Sequence, residues 1–86
     1  MRVGEGEGYR GSFSLQNQGE GTIRGLVYPS SYRVHCDEQG FDGNPVNIYY
    51  TYDGTGLVPG HVEHGKFTIV CNGGEFDIAF TAVIEK

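Results

Sequence analysis

The sequence predicts an all-β fold, an antiparallel sandwich or small barrel of six or seven strands with little or no helix. Three observations predict it. The stretch from Lys66 to Glu85 alternates apolar and polar residues about a central Asn-Gly-Gly, as a β-hairpin does. The chain holds 15 glycines and three prolines, and isoleucine, valine, threonine, tyrosine and phenylalanine dominate between them. Turn residues recur at roughly ten-residue spacing, and no window sustains the ~3.6-residue period of a helix.

The hairpin organises the rest. Phe67, Ile69 and Cys71 share one face of its first arm, and Phe76, Ile78, Phe80, Ala82 and Ile84 share one face of its second. A two-residue loop at Gly73-Gly74 pairs Cys71 with Phe76, Ile69 with Ile78 and Phe67 with Phe80. A four-residue loop keeps the same faces, whereas a three-residue loop without a bulge inverts one strand. The hairpin's apolar face must be covered, and the remaining chain supplies the cover.

Residues 1–9 are acidic and glycine-rich and read as a flexible start or linker; residues 10–86 read as the sandwich domain. A first strand is expected near Arg10 to Asn17, with Phe13 and Leu15 on one face. Asn17-Gln18-Gly19-Glu20-Gly21 is a turn cluster. A second strand near Thr22 to Tyr28 places Ile23, Gly25 and Val27 together, and an inward glycine at 25 marks a bulge or a close backbone approach. After Pro29-Ser30-Ser31 comes a third strand, Tyr32 to Cys36, with Tyr32, Val34 and Cys36 on one face. Asp37 to Asn44 is mostly loop anchored by Phe41, with room for a short edge strand. Val46 to Tyr52 follows Pro45, with Val46, Ile48, Tyr50 and Tyr52 aligned. Asp53-Gly54-Thr55-Gly56 turns, Leu57 to Gly60 is irregular, and His61 to His64 leads into the hairpin. The expected core is Phe13, Leu15, Ile23, Val27, Val34, Cys36, Ile48, Tyr50, Phe67, Ile69, Cys71, Phe76, Ile78, Phe80 and Ile84.

The formal net charge is −5, and the six basic residues are scattered, so there is no basic stripe for nucleic acid and no polybasic patch for a membrane surface. The N-terminus lacks the apolar core of a signal peptide, and no apolar run approaches membrane-spanning length. Lys86 directly follows the last strand, as expected of a domain excised from a longer protein.

The series Phe13-x-Leu15-x-Asn17-x-Gly19-x-Gly21-x-Ile23-x-Gly25, with Phe41-x-Gly43, Ile48-x-Tyr50-x-x-Asp53 and Gly65-x-Phe67-x-Ile69-x-x-Asn72-x-Gly74-Glu75, resembles immunoglobulin-like β-sandwich modules near the N-termini of large, uncharacterised bacterial proteins. The resemblance covers residues 10 to 85. It implies an immunoglobulin-like sandwich of about seven strands and a non-catalytic module that spaces or docks its neighbours. It carries over no site residues. Two features depart from the antibody pattern: there is no tryptophan, and Cys36 falls on the third expected strand rather than the second.

Cys36 and Cys71 both take the inward parity of their strands. A disulfide between them and two buried thiols acting as small hydrophobes are the competing readings. His35, His61 and His64 with the cysteines lack zinc-ligand spacing, because neighbours on a strand point to opposite faces. Gly6-x-Gly8-x-x-Gly11 matches a dinucleotide fingerprint only as a string, with no strand before it and Glu5 and Glu7 beside it. Asp37, Glu38, Asp42 and Asp53 lack the spacing of a calcium loop. No metal site, cofactor or catalytic set is expected, so the chain reads as non-enzymatic.

Exposed tyrosine is the remaining candidate. Tyr49 points away from the core with Asn47 and Thr51 on the same face, and Val70, Ala79 and Val83 lie on the outer face of the hairpin. Together these six form the expected contact face, for a neighbouring domain or another protein. An extracellular carbohydrate stacking on Tyr49 is the alternative.

Overall fold

The computed structural model describes residues 1–16 and 21–86, and all but the last residue of the turn expected over Asn17 to Gly21 lies outside them. The described residues form eight strands: β1 (Arg2–Gly4), β2 (Gly8–Leu15), β3 (Ile23–Pro29), β4 (Val34–Cys36), β5 (Gly40–Gly43), β6 (Val46–Asp53), β7 (Val62–Cys71) and β8 (Gly74–Glu85). No helix occurs among the described residues. The strands make a five-stranded sheet in the order β1-β8-β7-β3-β5 and a three-stranded sheet in the order β2-β6-β4. The larger sheet curls into a half-barrel. The molecule is elongated, 45 × 18 × 17 Å, as a 12-residue β8 demands.

The expected hairpin is β7–β8, but its register differs by two residues. The loop is Asn72-Gly73, Cys71 stands opposite Gly74, Ile69 opposite Phe76 and Phe67 opposite Ile78. The faces are those predicted, because a shift of two preserves the side-chain alternation. Gly74, at φ +122°, takes the first position after the turn. The observed register also puts Phe80 opposite Gly65, where the ring occupies the space a Cβ would fill. Large-on-small pairing of this kind fills a gap that the predicted Phe67–Phe80 pair would have left beside Gly65.

Gly25 behaves as predicted. A Cβ there would run into the carbonyl of Val70 and lie 2.7 Å from the Cα of Cys71 on the paired strand. Phe41 is buried on the short edge strand β5, paired with Gly25.

Residues 2–4 correct the expectation of a flexible start. β1 runs parallel to the end of β8, with Arg2 opposite Val83 and Gly4 opposite Glu85, and Val3 is 1% exposed in the core. Composition alone disguised this, because one valine among glycines and glutamates carries no period. Its partner lies some eighty residues away in sequence.

The core joins both sheets in one apolar cluster. Phe67 is its hub: its ring centroid lies 5.0 Å from Phe13 and 4.9 Å from Tyr50 on the small sheet, and 5.3 Å from Phe80 on the large one. Each such tilted pair adds about 0.5–1.5 kcal/mol beyond area burial. Leu15, Val27, Val34, Ile48, Ile69 and Ile84 are buried as predicted, while Phe13, Ile23, Cys36, Tyr50, Cys71 and Ile78 are half-buried. Val46, Tyr52 and Ala82 complete the buried set. Phe76 is the error in the core list: it is 43% exposed, because it stands at the hairpin tip, opposite Ile69 but near the end of the small sheet's cover. Tyr32 is also corrected. It is 81% exposed in the turn before β4, where its ring carries the Arg33 guanidinium at 5.4 Å instead of entering the core.

Candidate functional site

The outer face of the small sheet carries three of the predicted residues. Asn47, Tyr49 and Thr51 alternate along the central strand β6, so one pleat presents all three. β2 supplies Arg10, Ser12 and Ser14 to the same face, opposite Thr51, Tyr49 and Asn47 in turn. Ser14 Oγ donates to Asn47 Oδ1 at 2.7 Å. Arg10 reaches across β6 to Asp37, beyond β4, and donates through Nη1 at 3.1 Å and Nη2 at 2.6 Å to its two carboxylate oxygens. On the way its guanidinium passes 5.7 Å from the centre of the Tyr49 ring.

This bidentate pair spans the full width of the sheet. The hydrogen bond from Arg10 holds the Asp37 carboxyl below the usual carboxylate range, and Asp37 raises the guanidinium in return. Tyr49 remains 47% exposed, but one side of its ring is taken by Arg10. Beside it opens a cleft of about 410 Å³, rimmed by Asp37, Asp42, Asn47 and Tyr49 above Phe41 and Val46.

Val70, Ala79 and Val83 lie elsewhere, on the outer face of the large sheet. The six predicted contact residues therefore divide between two sheets and make no single surface. Sequence parity placed each on an outer face; which sheet it belongs to is a matter of strand order. Val70 pairs with Leu26, and both are exposed. Val83 pairs with exposed Val62 at the far end. Between these spots the face is polar: Asp77 accepts from Thr68 Oγ1 at 2.9 Å and from Lys66 Nζ at 3.4 Å, which hold its carboxyl low.

A third polar group, Glu63, takes the inward parity of β7. Tyr52, fully buried on β6, donates its hydroxyl to Glu63 Oε1 at 2.6 Å. Burial, then the hydrogen bond to Glu63, pushes the Tyr52 phenol up to about 12. Burial pushes Glu63 up, but hydrogen bonds from Tyr52 and Ser31 and the charge of Arg33 leave its carboxyl below its ordinary value. Arg33 is itself fixed, donating to the carbonyls of Asp53 at 3.0 Å and Thr55 at 2.8 Å. Sequence reasoning missed Glu63. The signal was there: the period-two series Phe67, Gly65, Glu63, read backwards from the hairpin, places it inside.

Cys36 and Cys71 are both free thiols, each half-buried. Burial, with a smaller effect from Asp37, raises the Cys36 thiol. The Cys71 thiol donates to the Gly74 carbonyl at 3.4 Å. Among the described residues, no three histidines, cysteines or carboxylates gather where they could hold a metal ion.

Edges matter as much as faces in this fold. Asp37 N–H donates to Tyr49 C=O and Asp53 N–H to Arg33 C=O, so the odd residues of β6 aim their main chain at the β4 side. Its even residues therefore face β2, where they stand opposite Tyr9, Gly11, Phe13 and Leu15. The main-chain groups of Gly8, Arg10, Ser12 and Ser14 are left pointing away from the sheet. Among the described residues β2 has no second ladder partner, and β8 is paired on its outer side only over Val83 to Glu85.

None of the curated proteins compared with the chain matches it. Its whole length, residues 1–86, matches the family of unknown function DUF5717, N-terminal, and the chain belongs to that family.

Proposed function

We propose that this chain is a non-enzymatic interaction module of a larger bacterial protein, built as an immunoglobulin-like sandwich, which presents a sheet face or edge to a neighbouring domain or another protein. The strand orders support the scaffold: β2-β6-β4 and β3-β7-β8 follow the B-E-D and C-F-G orders of immunoglobulin sandwiches. β1 and β5 are added at the outer edges of the larger sheet.

The observation that carries docking is the open main chain of β2. Gly8, Arg10, Ser12 and Ser14 point their main-chain groups away from the sheet, and β2 has no second ladder partner among the described residues. Such an edge accepts a strand from another chain or domain by main-chain hydrogen bonding.

Carbohydrate binding is the second reading, and the cleft beside Tyr49 favours it. An aromatic ring next to Asp37, Asp42 and Asn47 offers a sugar both stacking and hydrogen bonds. The Arg10 clamp weighs against it, because stacking on that side of the ring requires displacing a guanidinium held at both nitrogens.

The test is capture on the immobilised chain from a source-cell lysate and from a panel of polysaccharides. A saturably retained protein, lost when an outer-face or edge residue is changed, supports the interaction module. Saturable polysaccharide binding abolished by Tyr49→Ala overturns it in favour of the sugar site. Retention of neither, from a chain that also stays monomeric, overturns both.

A further inference from the structure

We infer that the open edge of β2 pairs with β2 of a second copy, antiparallel and centred on Ser12, to join two small sheets into one of six strands. The inference rests on the interaction-module reading and names the partner: this chain itself.

The edge is long and undefended. β2 offers eight residues, and the main-chain groups of Gly8, Arg10, Ser12 and Ser14 point outward. Natural edge strands blunt such a row with proline, bulges, short length or outward charge. β2 contains no proline, and its ladder with β6 runs unbroken from Gly8 to Leu15. Its one charged side chain, Arg10, is drawn back over the sheet to Asp37 rather than standing out from the edge. The strands at the other edges are shorter, β4 with three residues, β5 four and β1 three, and the stretch of β8 left open before Val83 carries the exposed charges Glu75 and Asp77 and meets Met1 at the Thr81 carbonyl.

The strand also complements itself. A two-fold axis at Ser12 sets Ser12 against Ser12, Arg10 against Ser14, Gly11 against Phe13 and Tyr9 against Leu15 of the second copy. Residues of the same face meet, as register requires. Residues whose main chains point outward also meet each other, as an antiparallel ladder requires. Arg10 never meets itself. Phe13 opposite Gly11 repeats the aromatic-on-glycine pairing already made by Tyr50 on Gly11 and Phe80 on Gly65. Tyr9 and Phe13, half-buried at this opening, gain cover. Such an isologous contact closes as a dimer and cannot propagate.

Charge sets the expected behaviour. Each chain carries −5, while the edge itself is neutral once Arg10 is paired. The two copies therefore repel at a distance and attract at the seam, so salt strengthens the dimer by screening the repulsion. A seam of seven residues per copy, Tyr9 to Leu15, makes a small interface, and the dimer exchanges with monomer.

The experiment is sedimentation equilibrium of the 86-residue chain across concentration and salt. The expected result is a mass that doubles with concentration and does so earlier at higher salt. Ser12→Pro removes an outward N–H without touching the ladder to β6, so it leaves the fold intact by circular dichroism and abolishes the doubling. Ser12→Lys places like charges opposite across the axis and raises the dissociation constant about fivefold. An equimolar mixture of Ser12→Lys and Ser12→Glu restores it. A chain that stays monomeric at every concentration, or a dimer indifferent to both Ser12→Lys and the mixture, overturns the inference. A monomeric chain that still captures another protein sinks the self-pairing alone and leaves the interaction module standing.

Discussion

Tyr52 and Glu63 join the two sheets by a 2.6 Å hydrogen bond, from a fully buried ring on β6 to a carboxylate on the inner face of β7. It is a polar link between layers otherwise held by apolar packing, and both groups titrate away from their ordinary values. Their directions fix the pH dependence. The phenol is raised in the fold to about 12, so its contribution is whole below the unfolded value of about 10 and is lost as pH climbs toward 12. The Glu63 carboxyl is lowered, so its contribution is present above the unfolded carboxyl value and is lost as pH falls through the folded one. Urea melts across pH are expected to show a plateau that falls on both sides, with an alkaline arm between about 10 and 12. Tyr52→Phe flattens that arm and costs about 1–3 kcal/mol at neutral pH, because Glu63 loses a donor. An unchanged alkaline arm in Tyr52→Phe would assign it to other tyrosines.

Gly25 and Gly65 both lie under a neighbour, but the neighbours differ. At Gly25 the obstacle is the main chain of Val70 and Cys71; at Gly65 it is the Phe80 ring, with Ser30 Oγ 3.0 Å from the Cβ position. A ring can turn, and a backbone in a ladder cannot. Gly65→Ala is expected to cost about 1–3 kcal/mol, and Gly25→Ala more, by thermal or chemical melts. The reverse order would show that β3 and β7 separate more easily than Phe80 rotates.

The hairpin tip makes a matched pair of mutants. Gly74 has φ +122°, a conformation a β-branched residue resists, and Gly74→Val is expected to lose about 1–3 kcal/mol. Gly73→Ala is close to neutral, since its Cβ would meet only Cys71 Sγ at 3.8 Å. Equal melting temperatures for the two variants would contradict the observed turn.

Cys36 and Cys71 are free, so reductant leaves the melting temperature unchanged. Cys36, raised by burial, is expected to react slowly with a thiol reagent until the chain unfolds, when both thiols titrate. A large fall in melting temperature under reductant would instead reveal a bond between them.

What the sequence determined on its own is the local alternation. Period two in Phe67-Ile69-Cys71 and in Phe76 through Ile84 set the faces of β7 and β8, and they held through a two-residue change of register because side chains repeat every two residues. Gly25 was legible for the same reason: an inward glycine on a strand marks a place where another backbone comes close. Tyr49, Asn47 and Thr51 were correctly placed on one outer face by parity. Tertiary structure alone decided which strands are neighbours. It placed Val70, Ala79 and Val83 on a different sheet from Tyr49, drew Val3 into the core beside β8, and brought Arg10 to Asp37, 27 positions on in the sequence, across β6. These relationships depend on pairings distant in the chain, which no local pattern encodes. They form because an apolar face, once made, is stable only where another strand's face can cover it.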